Sequence, residues 1–142
     1  MTNAIHQPGW IPTAGHQLHV VGVHFDAVRI DGVRGEVVTE WLVDASGDDA
    51  GPIVGEASGR RWWVYFLLPP GTVRRYEWPL GVQRLGGRGE RAVTYLGVPA
   101  LHGNTWPLRW YSVPTATAPH VAPGALARAL GRGVVPVRLS PG

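Results

Sequence analysis

The turn inside residues 25–42 is the first place in this 142-residue chain where side chains are arranged for chemistry. The stretch FDAVRIDGVRGEVVTEWL is typical of a strand that runs through an acidic turn into a helix. Two carboxylates at such a turn would hold a divalent cation, but here Arg29 stands two residues before Asp31. The guanidinium of Arg29 would repel a metal ion and pair with Asp31 or with a phosphate. We therefore predict no metal site at this turn.

Arginine clusters are the second candidate for chemistry. All thirteen basic residues are arginine, and the clustered ones are Arg60, Arg61, Arg74, Arg75, Arg84, Arg88 and Arg91. Arginine beside glycine-rich backbone is a common way to bind phosphate. Solvated loops on a tryptophan-rich surface would show the same clusters, and this alternative stays open. The run RRWWVYFLL adds Trp63, which we expect near a groove where its ring would stack on a base.

Other chemistry has less support in the sequence. His16, His19 and His24 lie close together, and His24 with Asp26 could join a zinc or iron site. Irregularly spaced histidines in a β-rich segment are more often solvent-facing or hydrogen-bonded. The sequence has no G-x-S-x-G elbow, no P-loop and no G-x-G-x-x-G between a strand and a helix. We predict no catalytic residue, no bound metal and no cofactor.

Composition is that of a globular protein. Apolar residues make up 44% and seven residues are tryptophan, so we expect a single domain over 1–142, with a loose N-terminal arm at 1–15. The absence of cysteine excludes disulfides, thiolate metal sites and a cysteine nucleophile. There is no apolar run of 18 residues and no leader, so we expect a cytoplasmic protein without a membrane partner. A net charge of +3 favours only mild attraction to nucleic acid.

Glycine and proline divide the chain into short elements that must position these side chains. Strands are predicted at 17–30 with a break at Gly22, and at 52–56, 60–68, 91–99 and 107–114. Helices are predicted at 33–43 and 123–130. Pairs of apolar residues four apart give the first helix one apolar stripe: Val37 with Trp41, and Val38 with Leu42. The elements predict an α+β fold, a two-layer domain with a mixed, mainly antiparallel sheet and two principal helices.

The order of these elements resembles the N-terminal domain of bifunctional DNA primase/polymerases, in the archaeo-eukaryotic primase superfamily, and especially its short actinobacterial-type variants. The shared features begin with the strand, acidic turn and helix, followed by a serine-glycine turn and an aromatic strand that ends in Pro-Gly. A G-G-x-G before a strand ending in Val-Pro, a tryptophan strand and a closing helix complete the resemblance over 23–130. The resemblance implies a primase/polymerase-like fold.

The site residues of that family are only partly matched. Its metal-binding Asp-x-Asp falls on the triplet 29–31, where arginine replaces the first carboxylate. Ser58 and the glycine after it match the family's next element, but tryptophan stands where a phosphate-contacting histidine is expected. The third element falls on Gln83 or Arg84, without a carboxylate. Two-metal nucleotidyl transfer needs carboxylates for both ions, so the resemblance implies a degenerate, catalytically inactive domain.

We therefore predict a pseudoenzyme that binds nucleic acid or a nucleotide weakly, or one that acts as an interaction module with a protein partner. The predicted binding residues, whose arginines would converge beside one groove, are Arg29, Asp31, Ser58, Arg60, Arg61, Trp63 and Arg84. The alternative is a metal-dependent enzyme with a rearranged site around His24, Asp26 and Asp31.

Overall fold

The structure, a computed structural model, describes residues 7–86 and 93–134, with side chains up to residue 131. Its strands are β1 (His16–Val20), β2 (Asp26–Asp31), β3 (Ile53–Ser58), β4 (Arg61–Leu68), β5 (Val82–Leu85), β6 (Tyr95–Pro99) and β7 (Leu108–Ser112). The helices are α1 (Gly32–Ser46), between β2 and β3, and α2 (Pro123–Val134), after β7. The clustered Arg88 and Arg91 and the first six residues of the predicted loose arm lie outside the described residues.

Five strands form one sheet in the order β5, β2, β4, β3, β7, and β1 pairs with β6 in a separate two-stranded sheet. Every strand pair in the described ranges is antiparallel. The predicted α+β domain, with a mainly antiparallel sheet and two principal helices, is confirmed. Because β4 is the central strand, its side chains meet a core on both faces of the sheet.

Helix α1 lies close to the sheet because its first turns contain glycine. Asp31 caps the helix, since its Oδ1 accepts a hydrogen bond from the backbone N–H of Val33 at 3.2 Å. A Cβ atom at Gly35 would lie 2.6 Å from the side chain of Val64, so a larger residue there would push the helix off β4. Gly47 ends the helix with a left-handed φ of 68°. The helix is longer than predicted at both ends.

Each face of the five-stranded sheet has its own core. The core between the sheet and the helices includes Val28, Ile30, Val64, Phe66, Leu68, Leu126 and Leu130. The core on the other face, beneath the two-stranded sheet, includes Phe25, Ala27, Tyr65, Leu67, Leu96 and Val98. Alternation along β4 therefore sends the two predicted sets of its side chains to opposite faces.

Part of the predicted loose arm is packed against the second core. Trp10 and Ile11 are buried there, and the Trp10 ring centre lies 5.2 Å from that of Phe25. Burial of a large aromatic ring and a branched aliphatic side chain favours this packing and opposes the loss of chain entropy in the segment.

The apolar pairs of α1 form two stripes rather than the predicted one. Val38 and Leu42 enter the core, whereas Val37 and Trp41 are exposed. Neighbouring residues on a helix are rotated by about 100°, so the second pair turns away from the sheet when the first faces it. Within the described ranges, no helix is long and apolar enough to cross a membrane.

Candidate functional site

The two-stranded sheet covers only half of the face opposite the helices. Side chains on this face change from buried to exposed along the three central strands: Ala27, Arg29, Asp31 in β2; Leu67, Tyr65, Trp63, Arg61 in β4; Val54, Glu56, Ser58 in β3. The exposed ends of these three rows lie side by side, and we call this surface the open half. It brings together five of the seven predicted site residues: Arg29, Asp31, Ser58, Arg61 and Trp63.

Arg29 lies at the inner border of the open half. Its Cζ is 4.4 Å from the centre of the Trp63 ring, and its Nη2 donates a hydrogen bond to the Gln83 side chain, opposite it in β5. Arg29 therefore does not pair with Asp31, because Gln83 and Tyr65 are its direct cross-strand neighbours. The Arg29 Nε is buried and has no hydrogen-bond partner in the described part of the chain.

Arg61 lies at the outer border and forms the ion pair with Asp31 that the sequence suggested for Arg29. Its Nη2 is 3.4 Å from Oδ2 of Asp31, and its Cζ is 4.6 Å from the centre of the Trp63 ring. Because Oδ1 of Asp31 caps α1, both oxygens of this carboxylate are engaged. Arg61 precedes Trp63 by two residues and Arg29 pairs across from Tyr65, two residues beyond it, so the guanidinium groups approach from opposite directions along β4.

We call Arg29, Trp63 and Arg61 the arginine–tryptophan stack. Each guanidinium is attracted by the electron-rich face of the indole. Two like charges share one ring, and the carboxylate of Asp31 partly neutralises the outer one. The stack presents a planar, positively charged surface on the open half, at the ends of two central strands, and such a surface suits an anion or a stacked ring.

Tyr65 and Glu56 lie beside the stack on the same face of the sheet, toward its buried part. The hydroxyl of Tyr65 donates a hydrogen bond of 2.7 Å to Oε1 of Glu56 on the adjacent strand. Burial and the carboxylate raise the pKa of Tyr65 to about 12, although Arg29 acts in the opposite direction. This hydrogen bond holds the Tyr65 side chain in place next to Arg29.

Ser58 and Arg60 flank the stack at the β3–β4 hairpin. Ser58 ends β3 opposite Arg61, and Gly59 with Arg60 makes the turn, where Gly59 has a left-handed φ of 64°. Both Ser58 and Arg60 are exposed. The hairpin therefore places a second guanidinium next to Arg61 at the rim of the open half.

Arg84 does not converge with the other predicted arginines. It pairs with Val28 of β2, whose side chain faces the helices, so Arg84 projects from the face opposite Arg29. Its neighbours around a shallow cavity are Arg74, Arg75 and Trp78. The reason is strand parity: Gln83, one residue earlier, occupies the position beside the stack.

The residues of the alternative metal site are also separated. Asp26 and Asp31 stand at the two ends of β2, about 16 Å apart at the usual rise of a strand, and on opposite faces. Asp26 is wholly buried, and its Oδ2 accepts a hydrogen bond from the Val73 N–H at 3.0 Å. In the described ranges no three His, Asp or Glu residues are grouped so as to hold a metal ion.

Two of the three predicted histidines, His19 and His24, lie against each other. The rings of His19 and His24 lie edge to face with centres 5.6 Å apart, and His120 Nε2 is 2.9 Å from the His24 carbonyl oxygen. Burial lowers the pKa of His19, and the nearby His24 lowers it further. The Nε2 of His19 is buried and has no hydrogen-bond partner among the described residues, so the hydrogen-bonded role stays a prediction.

A second cleft, behind Trp62, was not predicted from the sequence. It has a volume of about 350 Å³, and its polar wall consists of Glu36, Trp62, Arg109 and Tyr111. Oε2 of Glu36 accepts hydrogen bonds from Trp62 Nε1 at 3.1 Å and from the Tyr111 hydroxyl at 2.7 Å. The wall joins residues that are far apart in the chain, so no local spacing of residues in the sequence predicts this cleft.

Arg109 completes this wall. Its Nη2 donates a hydrogen bond of 3.0 Å to the Tyr111 hydroxyl and lies 3.7 Å from Oε2 of Glu36. Its Cζ lies 4.5 Å from the centre of the Tyr111 ring. Burial raises the pKa of Tyr111, while Arg109 opposes this shift and Glu36 adds to it. The cleft therefore carries a carboxylate and a guanidinium that already neutralise each other.

Comparisons with protein-family models, with curated proteins and with solved structures find no match to this chain. The side chains of the open half and of the cleft are therefore the features from which a function can be inferred.

Proposed function

We propose that the chain is a non-catalytic domain that binds single-stranded nucleic acid weakly on its open half. The observation that carries this proposal is the arginine–tryptophan stack, in which two guanidinium groups lie 4.4 and 4.6 Å from the centre of one tryptophan ring. Guanidinium planes and aromatic rings both stack on unpaired bases, and arginine also binds phosphate.

The base would stack on Arg61 rather than directly on Trp63. The Trp63 ring is half-buried and carries both guanidinium groups, whereas the Arg61 side chain is 65% exposed. One side of the Arg61 plane contacts the indole, and the other side is available to a base. Arg60, beside it in the hairpin, would contact the phosphate that follows.

The proposed domain is a degenerate relative of the primase/polymerase domains that the element order resembles. Catalysis by two metals would require Asp31 to bind an ion, but this carboxylate caps α1 and pairs with Arg61. Arg29 stands at the position of the family's first carboxylate, and its guanidinium contacts the Trp63 ring and the Gln83 side chain. Both features support binding without nucleotidyl transfer.

Affinity is expected to be low and independent of sequence. The open half offers Arg29 and Arg61, with Arg60 in the adjoining hairpin turn, against the carboxylates of Asp31 and Glu56, and the whole chain has a net charge of only +3. Each phosphate that is neutralised contributes slightly less than one log unit of affinity per log unit of salt. Binding should therefore weaken steeply when salt is added.

The test is a fluorescence titration of single-stranded and double-stranded oligonucleotides at two salt concentrations. The proposal expects binding to single strands at low salt, loss of most of it at high salt, and weaker binding by a Trp63→Ala variant, which loses the support for both guanidinium groups. No binding at low salt, or equal binding by wild type and variant, would refute it.

A second candidate function, protein interaction, is favoured by an exposed apolar stripe on α1. Val33, Val37 and Trp41 lie four residues apart and are 65%, 46% and 40% exposed. A helix that presents such a stripe is suited to packing against a second helix. If the stripe is an interface between copies, sedimentation at high protein concentration will show a dimer in the wild type and a monomer in a Val37→Glu variant.

A further inference from the structure

The cleft behind Trp62 has the features of a ligand site separate from the arginine–tryptophan stack, although Glu56 also lines it. It lies between the first turns of α1 and the edge strand β7, and its volume of about 350 Å³ suits a molecule of nucleoside size. Trp62 packs over Gly32, where a Cβ atom would come within 2.1 Å of the indole nitrogen, so the ring forms a fixed inner wall. This site is independent of the proposed function.

The outer wall is Trp106, the most exposed tryptophan of the described residues, at 74%. Its loop is fixed in place: the Trp106 N–H donates to Oδ1 of Asn104 at 3.2 Å, and the Pro107 carbonyl accepts from the Ala57 N–H at 2.9 Å. The structure therefore holds a large apolar ring in solvent beside a cleft, which is the arrangement of a stacking platform.

The polar wall offers an acceptor next to a donor. Among the described residues, the contacts of the Glu36 carboxylate all use Oε2, so Oε1 is the oxygen that remains for a ligand. Arg109 uses Nη2 for these contacts, and its side chain is 66% exposed, so the guanidinium is accessible to a ligand. A cation is disfavoured because Arg109 already neutralises Glu36, and an anion is disfavoured by Glu36 itself.

We propose that this cleft binds a guanine base. A neutral, flat ring with two adjacent donors and a neighbouring acceptor matches the wall, and guanine has these groups on one edge. Its ring N–H and exocyclic amino group both donate to Oε1 of Glu36, its carbonyl oxygen accepts from Arg109, and its face stacks on Trp106. Hypoxanthine lacks the amino donor to Glu36, and adenine lacks both donors and carries an amino group where guanine has the carbonyl oxygen.

The test is calorimetric titration of the full chain with 5′-GMP, 5′-IMP and 5′-AMP, which share sugar and phosphate and differ in the base. GMP should bind about tenfold more tightly than IMP, the effect of one additional hydrogen bond to a charged group, and AMP should bind more weakly than IMP. Glu36→Gln should bring GMP to the level of IMP. Trp106→Ala should abolish binding of all three, and Trp106→Phe should retain part of it.

Leu80→Ala is the matched control, because Leu80 is 95% exposed and lies outside the cleft. It should bind GMP as the wild type does. Equal affinity for the three nucleotides, no binding of any of them, or normal GMP binding by Trp106→Ala would overturn the assignment. Binding of oligonucleotides without binding of GMP would leave the proposed function intact and refute the guanine site. Binding of GMP without binding of oligonucleotides would support the guanine site and refute the proposed function.

Discussion

Trp62 and Trp63 are consecutive in β4, yet their side chains serve opposite faces of the sheet. Trp62 packs over the first turn of α1 and donates to Glu36, whereas Trp63 lies between the guanidinium groups of Arg29 and Arg61. Each tryptophan thus belongs to a different polar cluster, and the two clusters meet at the β3–β4 hairpin. The same short segment supports both the open half and the cleft.

Replacing Arg61 by alanine should weaken binding of single-stranded oligonucleotides several-fold and lower the salt slope by about 0.7, the value for one phosphate contact on a single strand. The change removes the exposed plane of the stack and one phosphate contact. The matched control is Arg84→Ala, because Arg84 is an exposed arginine on the opposite face. Fluorescence titration at several salt concentrations measures both effects, and equal losses in the two variants would show that only net charge matters.

The sequence was sufficient for most of the fold because local signals agree with the tertiary structure. Alternation along β4, the acidic cap of α1 and the proline at the start of α2 all describe elements that form as predicted. Burial of Trp10 could not be predicted, because it depends on the two-stranded sheet that joins β1 to β6 across a long separation in the chain.

The candidate site was predictable only where side chains share a strand or a hairpin. Asp31 and Arg29 on β2 and Arg61 on the hairpin were found by their local pattern. Arg84 was misplaced because its face depends on the register of β5 against β2, and a shift of one residue reverses it. The cleft was missed because Glu36 and Tyr111 meet only after α1 and β7 are packed.

Gly35→Ala should destabilise the chain, although alanine is the better helix former. Helix propensity alone predicts a gain of about 1 kcal/mol in the free energy of unfolding. A Cβ atom at this position would lie 2.6 Å from the Val64 side chain, and overpacking of this kind costs about 1–3 kcal/mol. Gly131→Ala in α2 is the control, since nothing lies within 4 Å of its Cβ position. Urea denaturation should show loss for the first variant and no loss for the second.

The raised pKa of Tyr65 predicts a specific loss of stability in alkali. Its pKa is about 12 in the folded chain and 10.0 ordinarily, so below pH 10 the hydroxyl is protonated in both states. Between pH 10 and pH 12 only the unfolded chain releases this proton, and the free energy of unfolding therefore falls as the pH rises. Tyr65→Phe should show a shallower decline in urea denaturation across this window. An identical slope in both proteins would contradict the assigned environment.

Asp31→Asn separates the structural role of this residue from a catalytic one. Asparagine caps a helix about as well as aspartate, so the free energy of unfolding should change little, whereas Asp31→Ala should lower it by about 1 kcal/mol. The asparagine variant also releases Arg61 from its ion pair, so it should bind single-stranded oligonucleotides more tightly than the wild type. Neither the wild type nor the asparagine variant should extend a primed template with Mg²⁺ or Mn²⁺. Extension by the wild type that is abolished in Asp31→Asn would show instead that this carboxylate binds a catalytic metal, because removal of its charge leaves the helix cap in place.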